Sequence, residues 1–388
     1  MSLQAASNHI STTKTESGGG ASASLGRYTA LRVTVVLYLA SCCFVYGFGK
    51  VAHWTNGTPQ AKLLGNCNWD CKWYSLTVAN GYDKAPRGPE GRDYANWPFF
   101  PLFPMSVVVV KHLFRLAPQA ATVLTSKLEF FGAIFSFLLW LRPHLRDIND
   151  YYLAGSLIAL NPYLIYAHAG YSEPLYFMLV CLALWALERH SWVLAGLFGA
   201  GVSANRVVGV LFSVAYAIYV LREVGWRGVL KDRSLKILTG LVLCPLGLVL
   251  YALFLLRRTG DALGFVHIEI AWGRTTMSPI VVWFHSWEQG GWWRFFALLV
   301  IFGLMVSLWL MRRRLDLGVF LALCIVLPCA SGSLQGLPRY IWWQPPLLYA
   351  LFVWLRRSLP ATIIYLVFAG GMASFMILQW LTPNIFVT

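Results

Sequence analysis

The sequence predicts an all-α, multi-pass integral membrane protein. Hydrophobic residues make up 58% of the 388 residues and charged residues only 12%, whereas a soluble domain carries about 25% charged residues. Aromatic residues make up 15% of the chain, and amphipathic aromatic side chains favour the membrane–water interface. Long apolar segments recur along most of the sequence. These three observations favour a membrane protein over a soluble domain.

The apolar segments predict about nine to eleven transmembrane or re-entrant helices, because one bilayer crossing needs about 20 residues. The segments cover residues 30–49, 99–117, 119–141, 151–169, 174–188, 192–221, 236–256, 292–311, 316–333, 341–355 and 360–381.

The two longest polar segments lie near the N terminus. Residues 1–26 are rich in Ser, Thr and Gly and predict a disordered cytoplasmic tail, which precedes a membrane domain over residues 27–388. No small-residue cleavage site follows the first apolar segment, so residues 30–49 predict a retained helix. Residues 50–98 predict a long first extracytoplasmic loop, whose Trp and Tyr side chains argue against disorder.

Basic connectors predict the orientation of the helices. Lys and Arg residues cluster at 222–233, 312–314 and 356–357, and such clusters face the cytoplasm. Residues 50–98, 257–291 and 331–340 are then extracytoplasmic. Simple alternation puts the basic stretch 142–146 on the wrong side, which predicts one re-entrant or interfacial segment between residues 99 and 170. The +15 net charge lies mostly beside apolar segments, where it meets anionic lipid, and this argues against a nucleic-acid partner.

Neither a metal nor another cofactor is expected. Six of the eight cysteines lie in or beside apolar segments, where free Cys behaves as a small hydrophobic residue. The sequence has no CxxC or paired Cys/His spacing for zinc, and no extracytoplasmic Asp-x-Asp pair for another divalent ion. Cys67 and Cys71 lie in the predicted loop, where a disulfide and two free thiols are both open interpretations.

Asp70 is the strongest catalytic candidate. The run NCNWDCKW (66–73) places it between Trp69 and Trp73, and Tyr74 follows. A carboxylate in a partly dry, aromatic setting can serve as a general base, whereas a solvated loop acid is the alternative. The run WPFFPLFP (97–104) contains three prolines and predicts the start of a bent helix at the membrane surface.

Later stretches place ionisable residues beside apolar helices. Residues 161–176 include Tyr171, Ser172 and Glu173; ionisable residues at such depth indicate function, although Ser172 could simply cap a helix. Arg206 interrupts an apolar run and needs a partner or an aqueous cavity. Arg339 starts a span on the side of Asp70, where it could extend to the interface or bind a phosphate.

The absence of several catalytic sequence motifs argues against several classes of enzyme. The sequence contains no G-x-x-x-x-G-K-[ST], G-x-G-x-x-G, H-E-x-x-H or G-x-S-x-G motif. Nucleotide hydrolysis, a zinc protease site and a serine hydrolase site therefore lose support. No soluble domain for a sugar nucleotide is present either, so the donor of a transferase would be carried on a lipid.

Several motifs, in their order along the chain, resemble the PIG-V type of GPI mannosyltransferase, the class that adds the second mannose, and its bacterial relatives. The resemblance spans about residues 30–355. The motifs are TrpAsp-x-x-x-Tyr and AlaAsnGlyTyr within 69–82, TrpProPhePheProLeuPhePro at 97–104, AsnPro and GlyTyrSerGluProLeuTyr within 161–176, AsnArg-x-x-Gly at 205–209, and ProArgTyr at 338–340.

The resemblance implies a GT-C glycosyltransferase fold whose first extracytoplasmic loop carries a catalytic acid. It also implies an inverting transfer from a polyprenyl-phosphate sugar, usually mannose. Asp70 matches the position of the catalytic base, although the family has a small residue where Cys71 stands. The other motif positions give the substrate-binding candidates Trp69, Tyr74, Tyr171, Glu173, Arg206, Arg339 and Tyr340.

The predicted function is therefore sugar transfer from a polyprenyl phosphate to a lipid-linked or envelope acceptor, which is a glycolipid, a glycan or a protein. Arg339, with Arg206 or Arg274, would neutralise the leaving phosphate. The site would face the periplasm from a bacterial inner membrane, or the lumen of the endoplasmic reticulum in a eukaryote. The alternative is a membrane transporter or a lipid or glycolipid flippase, which predicts paired broken helices in two halves.

Overall fold

The computed structural model describes residues 18–56, 67–87, 93–229 and 234–381. Within these ranges the chain is all-α, as predicted, apart from short 3-10 helices and an isolated β-bridge between Arg87 and Tyr94. Of the predicted tail, residues 1–17 lie outside the described ranges, and a helix begins at Gly18. That helix continues to Asn56, beyond the predicted start of the first loop, and the loop itself contains another helix.

The described helices are, in chain order, α1 (Gly18–Asn56), α2 (Asp70–Asn80), α3 (Leu102–Phe114), α4 (Pro118–Leu141), α5 (Ile148–Ala159), α6 (Ile165–His168), α7 (Glu173–Glu188), α8 (Trp192–Asn205), α9 (Phe212–Glu223), α10 (Gly225–Val229), α11 (Ser234–Leu243), α12 (Leu246–Thr259), α13 (Gly264–His267), α14 (Pro279–Gln289), α15 (Gly291–Met311), α16 (Leu315–Cys329), α17 (Leu337–Trp342), α18 (Pro345–Leu355) and α19 (Leu359–Leu381).

The protein is a multi-pass integral membrane protein. In the described ranges four helical stretches are long and apolar enough to span a bilayer, namely Tyr28–Val51, Pro118–His144, Gly291–Met311 and Leu359–Leu381. Helices α11 and α12 together form a fifth such stretch, bent by 44° beside Pro245, which lacks the N–H that would continue the helix. The other apolar segments are divided into shorter helices, among them α3, α8, α16 and α18.

The helices pack together as one bundle. Helix α4 packs against α7, α7 against α8, and α8 against α11, while α15 and α9 both pack against α16. Helices α8 and α11 approach so closely that a Cβ on Gly196 would lie 2.3 Å from the carbonyl oxygen of Gly240. Small residues permit such contact between membrane helices. Helix α2 and residues 93–100 pack on the surface of the bundle through two smaller clusters that are rich in aromatic side chains.

Helix α7 carries charge at both of its ends. It begins at Glu173 and ends at Glu188, about 22 Å further along the axis at 1.5 Å per residue. Arg314 pairs with Glu188 at 2.7 Å and with Asp316 at 2.9 Å. We call the side of the bundle at Glu188 the basic end, because the arginines of residues 312–314 lie there. We call the opposite side, at Glu173, the site end.

Residues 142–146 also lie with a basic connector. Arg356 donates a hydrogen bond to the carbonyl oxygen of His144 at 2.9 Å and pairs with Asp150 at 2.8 Å. The basic stretch is therefore on the same side as residues 356–357. Helix α3 has only 13 residues, too few to cross a bilayer, which explains why simple alternation put the stretch on the wrong side.

We expect an Arg314→Ala substitution to destabilise the fold by about 3 kcal/mol, because it leaves buried carboxylates without their cation. Asp316 is buried and Glu188 is largely buried beside it. The shift in unfolding temperature of the detergent-solubilised protein measures the effect. The control is Arg312→Ala, which removes an exposed arginine from the same turn; equal stability of the two variants would contradict the expectation.

Candidate active site

Asp70 is the first residue of helix α2 and lies at the site end. Its backbone N–H donates to the hydroxyl oxygen of Tyr171 at 3.3 Å, and its side chain is 29% exposed. A disulfide joins Cys67 to Cys71 on either side of it, which settles the alternative that the sequence left open. Trp69, between Cys67 and Asp70, has a φ of 46°. The first loop therefore presents Asp70 from a closed, tightly bent turn.

Asp70 belongs to an alternating network of two acids and two arginines. Nη2 of Arg339 lies 2.8 Å from Oδ2 of Asp70, and its Nε lies 3.4 Å from Oε1 of Glu173. The same Glu173 oxygen accepts a hydrogen bond from Nη2 of Arg206 at 2.7 Å. The side chains of Glu173 and Arg339 are 0% and 7% exposed, so these charges are held inside the protein and balance one another.

Local structure explains the position of Glu173 and Arg206. Glu173 begins α7, with Pro174 in the first turn, and the partial positive charge of a helix N terminus stabilises a carboxylate there. Arg206 directly follows α8, whose last residue, Asn205, donates from Nδ2 to the carbonyl oxygen of Ser172 at 3.1 Å. This bond ties the end of α8 to the start of α7, so the two charges meet.

Aromatic side chains surround the two arginines. Nη2 of Arg339 donates to the hydroxyl of Tyr340 at 2.9 Å, and the guanidinium lies 5.2 and 5.3 Å from the ring centres of Tyr166 and Tyr171. The guanidinium of Arg206 lies 4.6 Å from the ring centre of Tyr340. Cation–π contacts of this kind stabilise a desolvated charge and fix its position.

Two further predicted residues frame Asp70. The hydroxyl of Tyr74 donates to Oγ of Ser172 at 3.0 Å, and Ser172 makes no side-chain cap to α7, so the simple helix-cap interpretation of Ser172 is wrong. The ring of Trp69 packs edge-on against Trp380 at 4.8 Å. Trp69 thereby anchors the turn before Asp70 to the last described helix.

Arg339 does not use all of its hydrogen-bond donors within the described ranges. Its buried Nη1 has no hydrogen-bond partner in the described part of the chain, and its buried Nε has none either, although it forms the 3.4 Å ion pair with Glu173. Nearby, Gly336 has a φ of +77°, and a Cβ there would lie 3.6 Å from Nε of Arg339 and 3.9 Å from Nη2 of Arg274. Two guanidinium groups therefore converge on the space that the missing side chain of Gly336 leaves.

Arg274 is held by its own contacts. It donates to Oγ of Ser331 at 3.0 Å and to the carbonyl oxygen of Gln335 at 3.2 Å, and its Nε lies 3.4 Å from Oε2 of Glu269. Glu269 lies on a 3-10 helix outside the membrane-spanning segments. Partial burial raises the pKa of Glu269, Arg274 opposes the rise, and the charge of Asp70 adds to it. A second acid–arginine pair therefore faces the site.

The structure brings all eight predicted site residues into one cluster, drawn from four separated parts of the chain. These are Asp70, Trp69, Tyr74, Tyr171, Glu173, Arg206, Arg339 and Tyr340. Their functional roles stay predictions. Within the described ranges no three His, Cys, Asp or Glu side chains group as metal ligands.

The predicted site residues do not include Tyr166, Glu269 or Gly336. The repeated tyrosines of residues 161–176 were a signal for Tyr166, and the extracytoplasmic side assignment was one for Glu269. No sequence signal distinguishes Gly336 from the many other glycines of the chain, since its importance lies in what its missing side chain leaves open.

Known proteins resemble this chain in part. The rat (Rattus norvegicus) GPI alpha-1,6-mannosyltransferase 2 is 29% identical over 166 residues, and the human (Homo sapiens) one is 28% identical over 165 residues. Each match covers 39% of this chain and 32% of the relative, so the chain matches about a third of the length of these relatives. Among solved structures, ArnT from Cupriavidus metallidurans bound to undecaprenyl phosphate is similar with a TM-score of 0.48 and 17% identity, over 92% of this chain and 64% of that one.

A family model matches the part of the chain that contains most of the site residues. The family described as Mannosyltransferase (PIG-V) matches residues 50–255, which is just over half of the chain. The matched range contains Asp70, Glu173 and Arg206 of the charge network, while Arg339 lies beyond it. The chain therefore belongs to the PIG-V mannosyltransferase family.

Proposed function

We propose that the chain is an inverting GT-C glycosyltransferase that moves a sugar from a polyprenyl phosphate to a hydroxyl acceptor, with Asp70 as the base. The observation that carries the proposal is the pair of Asp70 and Arg339 at 2.8 Å. It joins a partly exposed carboxylate to a buried arginine whose Nη1 has no hydrogen-bond partner in the described part of the chain. The names of the curated relatives support mannose as the sugar and a glycolipid as one class of acceptor, beside a glycan or a protein.

The transfer needs one base and a stabilised leaving group. The acceptor oxygen attacks the anomeric carbon on the face opposite the phosphate, and Asp70 takes the hydroxyl proton. The bond from the anomeric carbon to the phosphate oxygen breaks, and its electron pair leaves with the phosphate. A phosphate has low proton affinity as a leaving group, so no general acid is required.

The space over Gly336 suits the phosphate of the donor. Nε and Nη2 of Arg339 and Nη2 of Arg274 all lie within 3.9 Å of the position that a Cβ on Gly336 would take. Planar guanidinium groups bind phosphate oxygens in pairs of hydrogen bonds. A phosphate bound there also competes with Asp70 for Arg339. Donor binding would thus free the Asp70 carboxylate for the acceptor hydroxyl, while Glu173 keeps Arg339 in place.

We expect a Gly336→Ala variant to raise the KM for the donor about tenfold, because the methyl group fills the space between the two arginines and weakens charge-assisted bonds to phosphate. Steady-state kinetics against varied donor concentration measure the change. The matched control is Gly260→Ala, which imposes a similar positive φ of +84° where no atom lies within 4 Å. An equal effect of both substitutions would show that backbone strain alone is responsible.

We propose that the site end faces the extracytoplasmic side of the membrane. The Cys67–Cys71 disulfide supports this orientation, because disulfides persist in oxidising compartments. The basic end, with Arg314 and Arg356, lies away from the site and suits the cytoplasmic side. The site would then face the periplasm in a bacterium or the lumen of the endoplasmic reticulum in a eukaryote.

One experiment tests the proposal against the transporter alternative. The purified protein is incubated with polyprenyl-phosphate-mannose and a membrane lipid extract, and we expect labelled mannose to move to an acceptor. A transporter would instead use paired broken helices in two halves, and the described helices include a single bent pair, α11 and α12. Absence of transfer from any polyprenyl-phosphate sugar would favour the transporter.

A further inference from the structure

The turn that precedes Asp70 has an unusual backbone. Trp69 has φ 46° and ψ −117°, a combination that residues other than glycine rarely adopt because Cβ meets the neighbouring backbone. Such a conformation persists only where the surrounding structure fixes it. The direction in which Asp70 leaves the turn depends on this residue, because Asp70 is the next one in the chain.

The Cys67–Cys71 disulfide closes a ring around the strained residue. The two Cα atoms lie 5.0 Å apart, and Asn68, Trp69 and Asp70 lie between them. Within this ring the carbonyl oxygen of Asn68 accepts from the N–H of Cys71 at 3.1 Å. The hydroxyl of Tyr171 also contacts the ring, because it accepts from the N–H of Asp70 and donates to the carbonyl oxygen of Asn68 at 3.5 Å.

The ring is fixed to the bundle through one of its sulfur atoms. Cys71 is fully buried, and Gly170 provides the space for it, since a Cβ on Gly170 would lie 2.6 Å from Sγ of Cys71. Gly170 directly precedes Tyr171 and lies three residues before Glu173 in the sequence. The disulfide therefore packs against the same segment that supplies the central acid of the charge network.

We infer that the Cys67–Cys71 disulfide is a positioning device for Asp70. It holds Trp69 in its strained conformation and so keeps the Asp70 carboxylate at Arg339. Without the bond, the freed turn relaxes to an ordinary negative φ at Trp69 and the carboxylate leaves the network. The inference rests on the proposed role of Asp70 as the base. It gives sugar transfer a dependence on the redox state of two residues that touch no substrate.

Kinetics of the oxidised and reduced protein test the inference. A dithiol reductant converts the disulfide to two thiols and is itself oxidised to a cyclic disulfide. We expect kcat to fall on the order of 10- to 100-fold on reduction, as for a misplaced catalytic group. The KM for the donor should not rise, because the proposed phosphate site at Gly336 keeps both arginines and loses the competition from Asp70. A Cys67→Ser/Cys71→Ser variant should have the low kcat and no further response to reductant.

A matched control separates this pair from the other thiols. The Cys42→Ser/Cys43→Ser variant changes two adjacent cysteines of helix α1, both free and neither fully buried. We expect it to keep the wild-type kcat and the full response to reductant. An unchanged kcat in reduced wild-type protein, or a loss confined to the KM for the donor, would overturn the inference.

A second measurement does not depend on sugar transfer. The coupling between Asp70→Asn and Arg339→Gln, each of which removes one charge of the pair, is obtained from the unfolding temperatures of the two single variants, the double variant and the wild type. We expect coupling in the oxidised protein and none after reduction. Coupling that survives reduction refutes the positioning role, even if the oxidised protein transfers no sugar. Absent transfer by the oxidised wild type, in contrast, refutes only the proposed function.

Discussion

An Asp70→Asn variant should transfer sugar about 10² to 10⁴ times more slowly than the wild type, which is the usual contribution of a positioned general base. The amide keeps the size and shape of the side chain but cannot take the acceptor proton. The effect should appear in kcat, measured with a labelled polyprenyl-phosphate sugar. The KM for the donor should not rise, because Asn competes with the donor phosphate for Arg339 less than the carboxylate does.

The control for this variant is Asp93→Asn, which removes an exposed carboxylate from the same loop. We expect wild-type kcat from it. If Asp70→Asn and the wild type transfer sugar at the same rate, Asp70 is not the base, and a second partly exposed acid, Glu269, becomes the residue to test.

An Arg339→Lys variant should lower kcat/KM for the donor about 10²- to 10³-fold, the usual effect of removing one donor that stabilises developing charge. Lysine keeps the positive charge between Asp70 and Glu173 but loses the planar fork that binds phosphate in two places. Retention of the charge also protects the fold, because neither Asp70 nor the buried Glu173 is left without a cation. Initial rates at varied donor and varied acceptor concentrations separate the two substrates.

The acceptor KM of this variant should stay close to the wild-type value. A defect confined to the acceptor would remove Arg339 from the phosphate role. The matched control is Arg313→Lys, in which an exposed arginine whose guanidinium lies 4.8 Å from the ring centre of Trp309 is replaced at the basic end. We expect this control to change neither KM.

Composition and apolar segments were enough to predict the all-α membrane class, because burial in lipid leaves few alternatives for the backbone. They did not predict where the helices break. Pro245 lies at the bend between α11 and α12, but a proline can also continue a span with a kink. The apolar segment 99–117 is long enough to suggest a full span, but its helix α3 has only 13 residues. Its position against α4 could be seen only in the structure.

The site residues could be predicted where a charged side chain interrupts an apolar segment, because burying an unpaired charge there costs free energy. Glu173 and Arg206 interrupt apolar runs, and such charges need partners. Which partner each one takes was not predictable, because Arg339 and Asp70 lie 269 positions apart and their contact depends on the tertiary fold. The disulfide could not be predicted either, because two cysteines four residues apart can be bonded or free.

The balance of the charge network has a consequence for the end of the catalytic cycle. Two acids and two arginines are neutral together before the donor binds. In the proposed transfer Asp70 gains a proton while the departing phosphate gains a negative charge, so the total charge at the site is unchanged. Arg339 then has a neutral Asp70 on one side and a doubly charged product on the other. In the proposed cycle, loss of the proton from Asp70 would restore its attraction for Arg339 and displace the lipid phosphate, which would couple product release to deprotonation of the base.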